Sequence, residues 1–245
     1  MHEAQLHEAK CFVTLTYSDD HLPRNGGLVK RHFQNFMKRL RKKYGAGIRY
    51  FHCGEYGDAT NRPHYHAILY GVDFIQDRTF HTRNQQGDTI WTSETLDALW
   101  GHGNTSIGSV SFETAAYTAR YILKKVTGDR AAAHYERVDE TTGEIVSIQP
   151  EYITMSLKPA IGLNWYRQFK SDVFPDDFVV MRGKTMPPPR YYYNRLSKED
   201  ERAAARIKFQ RIRRASKNKA DNTPERLAVK RQVKESQIKS LSRKL

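Results

Sequence analysis

The chain has 245 residues, of which 38% are hydrophobic and 28% charged, so it is long enough for one sizeable domain with appendages. Its 41 Lys and Arg exceed its 27 Asp and Glu and give a formal net charge of +14. This excess predicts a polyanionic partner and favours nucleic acid, although basic residues also serve simply to solvate a surface. No apolar run approaches the roughly 20 residues of a membrane span, which excludes an integral membrane protein.

Two further features bear on the compartment. Cys11 and Cys53 both lie in apolar, strand-like stretches, which predicts buried thiols in a reducing compartment rather than a disulfide framework. The first eight residues lack the basic start and apolar centre of a secretory signal. Together these features predict a cytoplasmic location.

The first part of the chain alternates strand-like and helix-like segments. Residues 10–17 are rich in β-branched and aromatic side chains and predict a central strand. Apolar positions at three-to-four spacing over 28–44 predict a helix with a basic outer face. Residues 48–55 and 63–70 predict two strands that pair as a hairpin across a polar loop.

The middle of the chain predicts a second helical region. Residues 92–100 predict a short helix capped by Thr92 or Ser93, and residues 106–112 a strand. Residues 113–126 contain neither Pro nor Gly and predict a helix of about three to four turns. The mixed polarity of residues 129–150 predicts an exposed hairpin or loop insertion.

The composition changes near the C-terminal end. After a predicted helix at 162–171 and a strand at 178–181, residues 195–245 contain 17 Lys or Arg but only 6 Asp or Glu, which is +11 of the total of +14. Two helix starts are predicted, at Ser197 to Asp200 and at Thr223 to Glu225. We therefore predict a main domain over residues 1–194 and a basic tail over 195–245 that is helical or partly disordered.

A metal site is indicated by His64 and His66, because alternate residues of a strand project from the same face. Glu55, on the preceding strand, is the preferred third ligand, and His52 is the alternative. Such a set suits Mg²⁺ or Mn²⁺ acting as a Lewis acid on a phosphoryl oxygen. The ordinary alternative is a polar strand surface. Ile68 occupies the position where a histidine-triad hydrolase has its third histidine.

A second candidate cluster lies on the predicted helix at 113–126. Tyr117, Tyr121 and Lys124 are spaced i, i+4 and i+7, which places them on one face. Two tyrosines at this spacing usually line a core, but a core stripe rarely ends in lysine. A tyrosine hydroxyl, with its ordinary pKa of about 10, needs a nearby cation, metal or base to act as a nucleophile. Lys124 fits that requirement, and Lys125 is its alternative.

These motifs together resemble a known superfamily, the His-hydrophobic-His ("HUH") endonucleases. The resemblance lies in residues 63–69 and 117–124, and residues 12–17 match the first-strand motif of the same group. More closely, the chain resembles the replication initiators of small single-stranded DNA phages of the Microviridae, gokushovirus type. Further segments that fit this resemblance are residues 107–110, 155–162 and 189–192.

The resemblance implies both a fold and a reaction. The implied fold is α+β, with an antiparallel sheet of about five strands, flanking helices, the two histidines on a central strand and the tyrosine helix packed across the metal. The implied reaction is nicking of single-stranded DNA at the phage origin through a 5′-phosphotyrosine link, which the second tyrosine helps to resolve after one round of rolling-circle replication. The cytoplasm of a bacterial host would be the location.

DNA contacts outside the reaction centre are expected from basic residues. The candidates are Arg120 and Lys125 near the tyrosines and Lys38 and Arg41 on the first long helix. The tail is expected either to clamp DNA or to dock a host helicase or polymerase. The competing hypothesis for the whole chain is a non-catalytic module that binds single-stranded nucleic acid.

Overall fold

The computed structural model describes residues 1–58, 60–120, 125–139 and 142–240. The described chain divides after Ile161 into two compact units, which we call the sheet unit and the C-terminal unit. The division into domains at residue 194 stays a prediction.

The sheet unit contains an antiparallel sheet of seven strands in the order β4-β5-β6-β1-β3-β2-β9, and a separate hairpin of β7 and β8, among its described residues. The strands are β1 (Lys10–Thr16), β2 (Arg49–Tyr56), β3 (Pro63–Tyr70), β4 (Thr79–Arg83), β5 (Thr89–Thr92), β6 (Thr105–Gly108), β7 (Glu136–Val138), β8 (Ile145–Ser147) and β9 (Tyr152–Met155). The helices are α1 (His2–Gln5), α2 (Lys30–Tyr44), α3 (Glu94–Trp100), α4 (Phe112–Arg120) and α5 (Ala131–Tyr135).

The α+β class with a central antiparallel sheet is confirmed, as is the hairpin of β2 and β3. The sheet has two strands more than expected. The hairpin of β4 and β5 was missed because all five residues of β4 are exposed and its sequence, Thr-Phe-His-Thr-Arg, lacks a buried apolar face. Strand β9 was also missed, because only four residues carry its signal.

One face of the sheet, which we call the core face, packs against α2. The helix contributes Phe33, Phe36, Met37 and Leu40, all at most 3% exposed. From β1 and β3 come every second residue, since alternate side chains of a strand share a face. Those residues are Cys11, Val13, Leu15, Tyr65, Ala67 and Leu69. This layer fixes the register of β1 and β3, because a shift by one residue would expose the whole set.

Tyr65 connects this core to the start of α2. Its hydroxyl lies 2.8 Å from that of Tyr17, donates to the carbonyl oxygen of Val29 (3.1 Å) and accepts from the Val29 amide (2.9 Å). The side chain is fully buried and stands between His64 and His66 in the sequence. The residue that separates the two histidines therefore anchors β3 to the opposite layer.

Helix α4 begins with reciprocal capping. Ser111 Oγ accepts from the Thr114 amide (3.2 Å), and Thr114 Oγ1 accepts from the Ser111 amide (2.9 Å). The predicted extent of this helix, to residue 126, is wrong at its end, because Lys125 and Val126 are not helical. Val126 instead donates its amide proton to Tyr135 Oη (2.9 Å), and Tyr135 donates to the buried Glu151.

The C-terminal unit is largely helical. It contains α6 (Leu163–Val173), α7 (Arg190–Glu199), α8 (Glu201–Lys217), α9 (Pro224–Ser240) and the hairpin of β10 (Val179–Met181) and β11 (Lys184–Met186). Asp200 caps α8 by accepting from the Ala203 amide (2.8 Å), which agrees with the predicted helix start. The second predicted start is confirmed at Pro224.

Candidate metal centre

The second face of the sheet, which we call the site face, carries the predicted metal ligands. Glu55 lies directly opposite His64 on β2 and β3, and Thr14 lies opposite His66 on β1 and β3. Cross-strand partners of this kind have Cβ atoms only about 5 Å apart, so the three strands deliver their side chains to one point.

Glu55, His64 and His66 converge there. Glu55 Oε1 lies 2.6 Å from His64 Nε2 and 2.9 Å from His66 Nε2, and the ligand atoms all lie within 4.8 Å of one another. Glu55 is 1% exposed and His66 5% exposed. Burial by itself raises the pKa of Glu55, but the hydrogen bonds and charges of the two histidines outweigh it and lower that pKa to about 2. The carboxylate is therefore ionised at neutral pH.

The donor set fits a divalent cation. The Nδ1 atom of His64 faces the carbonyl oxygen of Arg62 at 3.1 Å and must donate to it. A neutral imidazole then presents its lone pair at Nε2, the nitrogen that faces Glu55. Two imidazole nitrogens and one carboxylate oxygen are ligands that Mn²⁺ and, with more water, Mg²⁺ accept.

Thr14 is a supporting residue that the sequence did not single out. Its Oγ1 atom lies 3.0 Å from His66 Nδ1, the ring nitrogen away from Glu55. The ring of Phe12 stacks on His66 at 5.4 Å between centroids. Strand alternation alone places Thr14 and Phe12 on one face, but only the register with β3 identifies His66 as their neighbour.

We expect Thr14→Val to weaken metal binding, because the isosteric side chain cannot hold the His66 ring by a hydrogen bond. Loss of such an outer partner typically costs about 10- to 100-fold in metal affinity. Titration calorimetry with Mn²⁺ would measure it, and Thr14→Ser, which keeps the hydroxyl, is the matched control. Equal affinities for the valine and serine variants would contradict this role.

Tyr117 brings a hydroxyl to the same cluster. It is 8% exposed, and its ring meets His66 edge-on at 5.1 Å and Phe12 at 6.5 Å between centroids. Its hydroxyl donates to Glu55 Oε1 at 3.5 Å, a long hydrogen bond. Tyr117 thus both packs in a core, as the structural alternative held, and reaches the candidate ligand.

The other predicted residues stand apart from this cluster. Tyr121 and Lys124 lie outside the described residues. Arg120 is half-buried at the end of α4, and Lys125 is exposed. Lys38 is exposed on α2, the helix that covers the core face.

Arg41, also on α2, has a local partner. Its Nε and Nη2 atoms donate to the carbonyl oxygen of Ile48 at 3.1 and 3.0 Å. This contact ties the end of α2 to the segment before β2.

His52, the alternative third ligand, lies on the core face and not at the cluster. Its ring stacks on Phe33 at 3.4 Å, and its Nδ1 lies 2.7 Å from Thr154 Oγ1. The reason is parity, since residues 52 and 55 are three positions apart and point to opposite faces of β2. Burial lowers the pKa of His52 well below its usual value.

The buried His52 predicts a loss of stability in acid. Its pKa is lowered in the folded chain, so below about pH 6.5 the unfolded chain gains a proton that the folded chain does not. The free energy of unfolding is expected to fall between pH 7 and pH 5 by up to about 1.4 kcal/mol per pH unit from this group. Urea unfolding at several pH values would measure the slope.

The matched variants for that slope are His52→Gln and His81→Gln, since His81 is exposed on β4. His52→Gln should flatten the dependence on pH, whereas His81→Gln should not. A steep slope that survives in His52→Gln would refute the assignment.

Comparison with known proteins agrees with these motifs. Residues 10–126 match the family model for replication-associated protein ORF2. That range includes β1, the hairpin of β2 and β3, and α4. No solved structure matches the chain. In the described part of the chain, no helix combines the length and apolar character needed to traverse a bilayer.

Three similar curated proteins come from phages. Replication-associated protein VP4 of Bdellovibrio phage phiMH2K is 34% identical over 201 residues, which is 78% of this chain and 59% of that protein. Replication-associated protein ORF2 of Spiroplasma virus 4 is 32% identical, over 77% of this chain and 58% of that protein. Replication-associated protein ORF4 of Chlamydia phage 1 is 28% identical, over 80% and 48%. The chain thus spans between 48% and 59% of the length of these relatives. The match to the family model and the similarity to these phage proteins confirm the resemblance inferred from the motifs: the chain belongs to the replication-associated protein ORF2 family.

Proposed function

We propose that this chain is a metal-dependent endonuclease that nicks and rejoins single-stranded DNA at a phage origin and so initiates rolling-circle replication. The observation that carries the proposal is the convergence on Glu55 Oε1 of His64, His66 and the hydroxyl of Tyr117. A non-catalytic binding module has no need for a tyrosine hydroxyl beside three metal-ligand side chains. The names of the phage relatives support a role in replication.

Glu55, His64 and His66 would hold Mg²⁺ or Mn²⁺, which when bound supplies Lewis acidity toward a phosphoryl oxygen. The chain supplies the rest of the reaction. His64 and His66 are oriented by the Arg62 carbonyl and by Thr14, so the cluster is assembled before DNA arrives. Phe12, packed against His66 and Tyr117, keeps water from one side.

In the proposed step the Tyr117 oxygen attacks the phosphorus of the origin phosphodiester. A tyrosine O–P bond forms and the bond from phosphorus to the 3′ oxygen breaks. The phenol loses its proton and the departing 3′ oxygen gains one. The products are a 5′-phosphotyrosine link and a free 3′-hydroxyl that can prime synthesis.

We assign the second nucleophile to Tyr121 and the cation that assists the phenol to Lys124, both from their spacing to Tyr117 in the sequence. Arg120 and Lys125 would contact the DNA backbone near the cut, and Lys38 and Arg41 are weaker candidates for the same role. The reaction would occur in the cytoplasm of a bacterial host, where a host helicase or polymerase would extend the 3′ end.

The test is a pair of labelled substrates. Single-stranded oligonucleotides that tile the genome encoding the chain are incubated with the protein and Mn²⁺ and analysed on denaturing gels. On the origin oligonucleotide, a 3′ label should move with the protein, whereas a 5′ label should appear on a shorter strand that a polymerase can extend. EDTA should prevent both. Binding to the tiled set with no adduct on any member would favour the non-catalytic module.

A further inference from the structure

Helix α8 in the C-terminal unit has one face that is fixed by packing. Ala204 and Ile207 are each 2% exposed and pack with Leu196 of α7. One turn beyond Ile207, Arg211 donates to both carboxylate oxygens of the buried Asp177, at 2.8 and 2.6 Å. These contacts determine the rotation of α8 about its axis, and so determine which residues face outward.

The outward face carries a row of cations, Arg202, Arg206, Arg213 and Lys217, which we call the α8 cationic face. At about 100° per residue the four side chains lie within about 60° of one another, along about 22 Å of helix. All four are exposed. Within the described part of the chain, none of them lies within ion-pairing distance of a carboxylate.

Two apolar side chains stand beside this row. Phe209, between Arg206 and Arg213 in the sequence, is 62% exposed, and Ile212 is 57% exposed. A helix whose charges served only to solvate it would not present an aromatic ring among its arginines. Arginine beside an exposed aromatic ring is the combination with which proteins grip single strands, since the cations meet phosphates and the ring stacks on a base.

Helix α9 provides a contrast within the same unit. It is also basic, but Arg226 and Lys230 pair with Asp221, and Arg231 pairs with Glu235. It contains no aromatic residue. The cations of α9 are therefore partly neutralised by their own neighbours, whereas those of α8 face outward together.

We propose that the α8 cationic face, with Phe209, binds the backbone and one base of single-stranded DNA, as a contact separate from the Glu55 cluster. The choice of DNA rests on the proposed function, but this binding requires neither metal nor cleavage. Four cations account for the affinity through phosphate contacts, and Phe209 gives the face its preference for unpaired bases over duplex.

The experiment measures binding of the full chain to fluorescent oligo-dT by anisotropy over a range of salt concentrations, in EDTA. One variant replaces Arg202, Arg206, Arg213 and Lys217 with Gln. The matched control replaces four cations of α9 with Gln, namely Arg226, Lys230, Arg231 and Lys234, and so removes the same charge. Thermal unfolding checks that both remain folded.

For the α8 variant the salt slope of the binding constant should fall by about 2 to 3, since each phosphate contact on a single strand contributes about 0.7. The α9 control should change it by less than half as much. Phe209→Ala should weaken binding about fivefold or more, while Phe209→Trp retains it. Equal losses in the two quadruple variants, or an unchanged slope for the α8 variant, would overturn the proposal.

These outcomes are independent of nicking. A chain that binds through α8 but forms no covalent adduct would overturn the proposed reaction and leave this contact intact. A chain that forms adducts with an unchanged salt slope in the α8 variant would do the reverse.

Discussion

The double variant Tyr117→Phe/Tyr121→Phe is expected to form no covalent adduct with origin DNA, a fall of about 10⁴-fold or more, which is the scale seen when an enzyme loses its nucleophile. Each single variant should retain part of the cleavage, because the other hydroxyl remains. Removing one oxygen from Tyr117 leaves its ring against His66 and Phe12, so folding should be preserved. Denaturing gels with the labelled origin strand measure the adduct.

The matched control for this series is Tyr191→Phe, since Tyr191 lies in the C-terminal unit on α7. It should cleave like the unaltered chain. Adducts that persist in the double variant would rule out both tyrosines as nucleophiles. Adducts that persist only in Tyr117→Phe would instead assign the first cut to Tyr121.

Replacing a histidine of the cluster should separate cleavage from DNA binding. His64→Ala and His66→Ala are expected to abolish metal-dependent cleavage, because each removes one of three ligands that meet at Glu55. DNA affinity measured in EDTA should be nearly unchanged. Saturating Mn²⁺ should stabilise the unaltered chain by about 2.7 kcal/mol at 100 times its dissociation constant, and this gain should vanish in both variants.

Two controls sharpen this prediction. His81→Ala removes an exposed histidine from β4 and should leave cleavage and the Mn²⁺ effect intact. Glu55→Gln keeps the shape of the third ligand but removes its charge, and should behave like the histidine variants. Full metal-dependent activity in His64→Ala would show that the cluster holds no catalytic ion.

The sequence predicted the metal ligands because strand alternation is a local property. His64 and His66 needed only a strand, and the short loop before them was enough to predict the hairpin that brings Glu55 opposite His64. The choice between Glu55 and His52 remained open because it depends on the pairing register, which the loop between β2 and β3 sets.

Other features depended on contacts between segments far apart in the chain. Thr14 meets His66 across 52 residues, and nothing near Thr14 in the sequence indicates that partner. The end of α4 was predicted too late, because helix propensity continues to residue 126 while the Tyr135 hydroxyl holds the Val126 amide outside the helix. The hairpin of β4 and β5 and strand β9 lacked an apolar pattern long enough to detect.

The two faces of β3 also limit how its gene can change in length. Along this strand His64 and His66 face the cluster, whereas Tyr65 holds Val29 and Tyr17 on the other side. An in-frame insertion or deletion of one codon here would put the tyrosine beside Glu55 and push histidines into the apolar layer under α2. Changes of two codons preserve the alternation. Related genomes should therefore vary β3 by substitution, or by codons gained or lost in pairs.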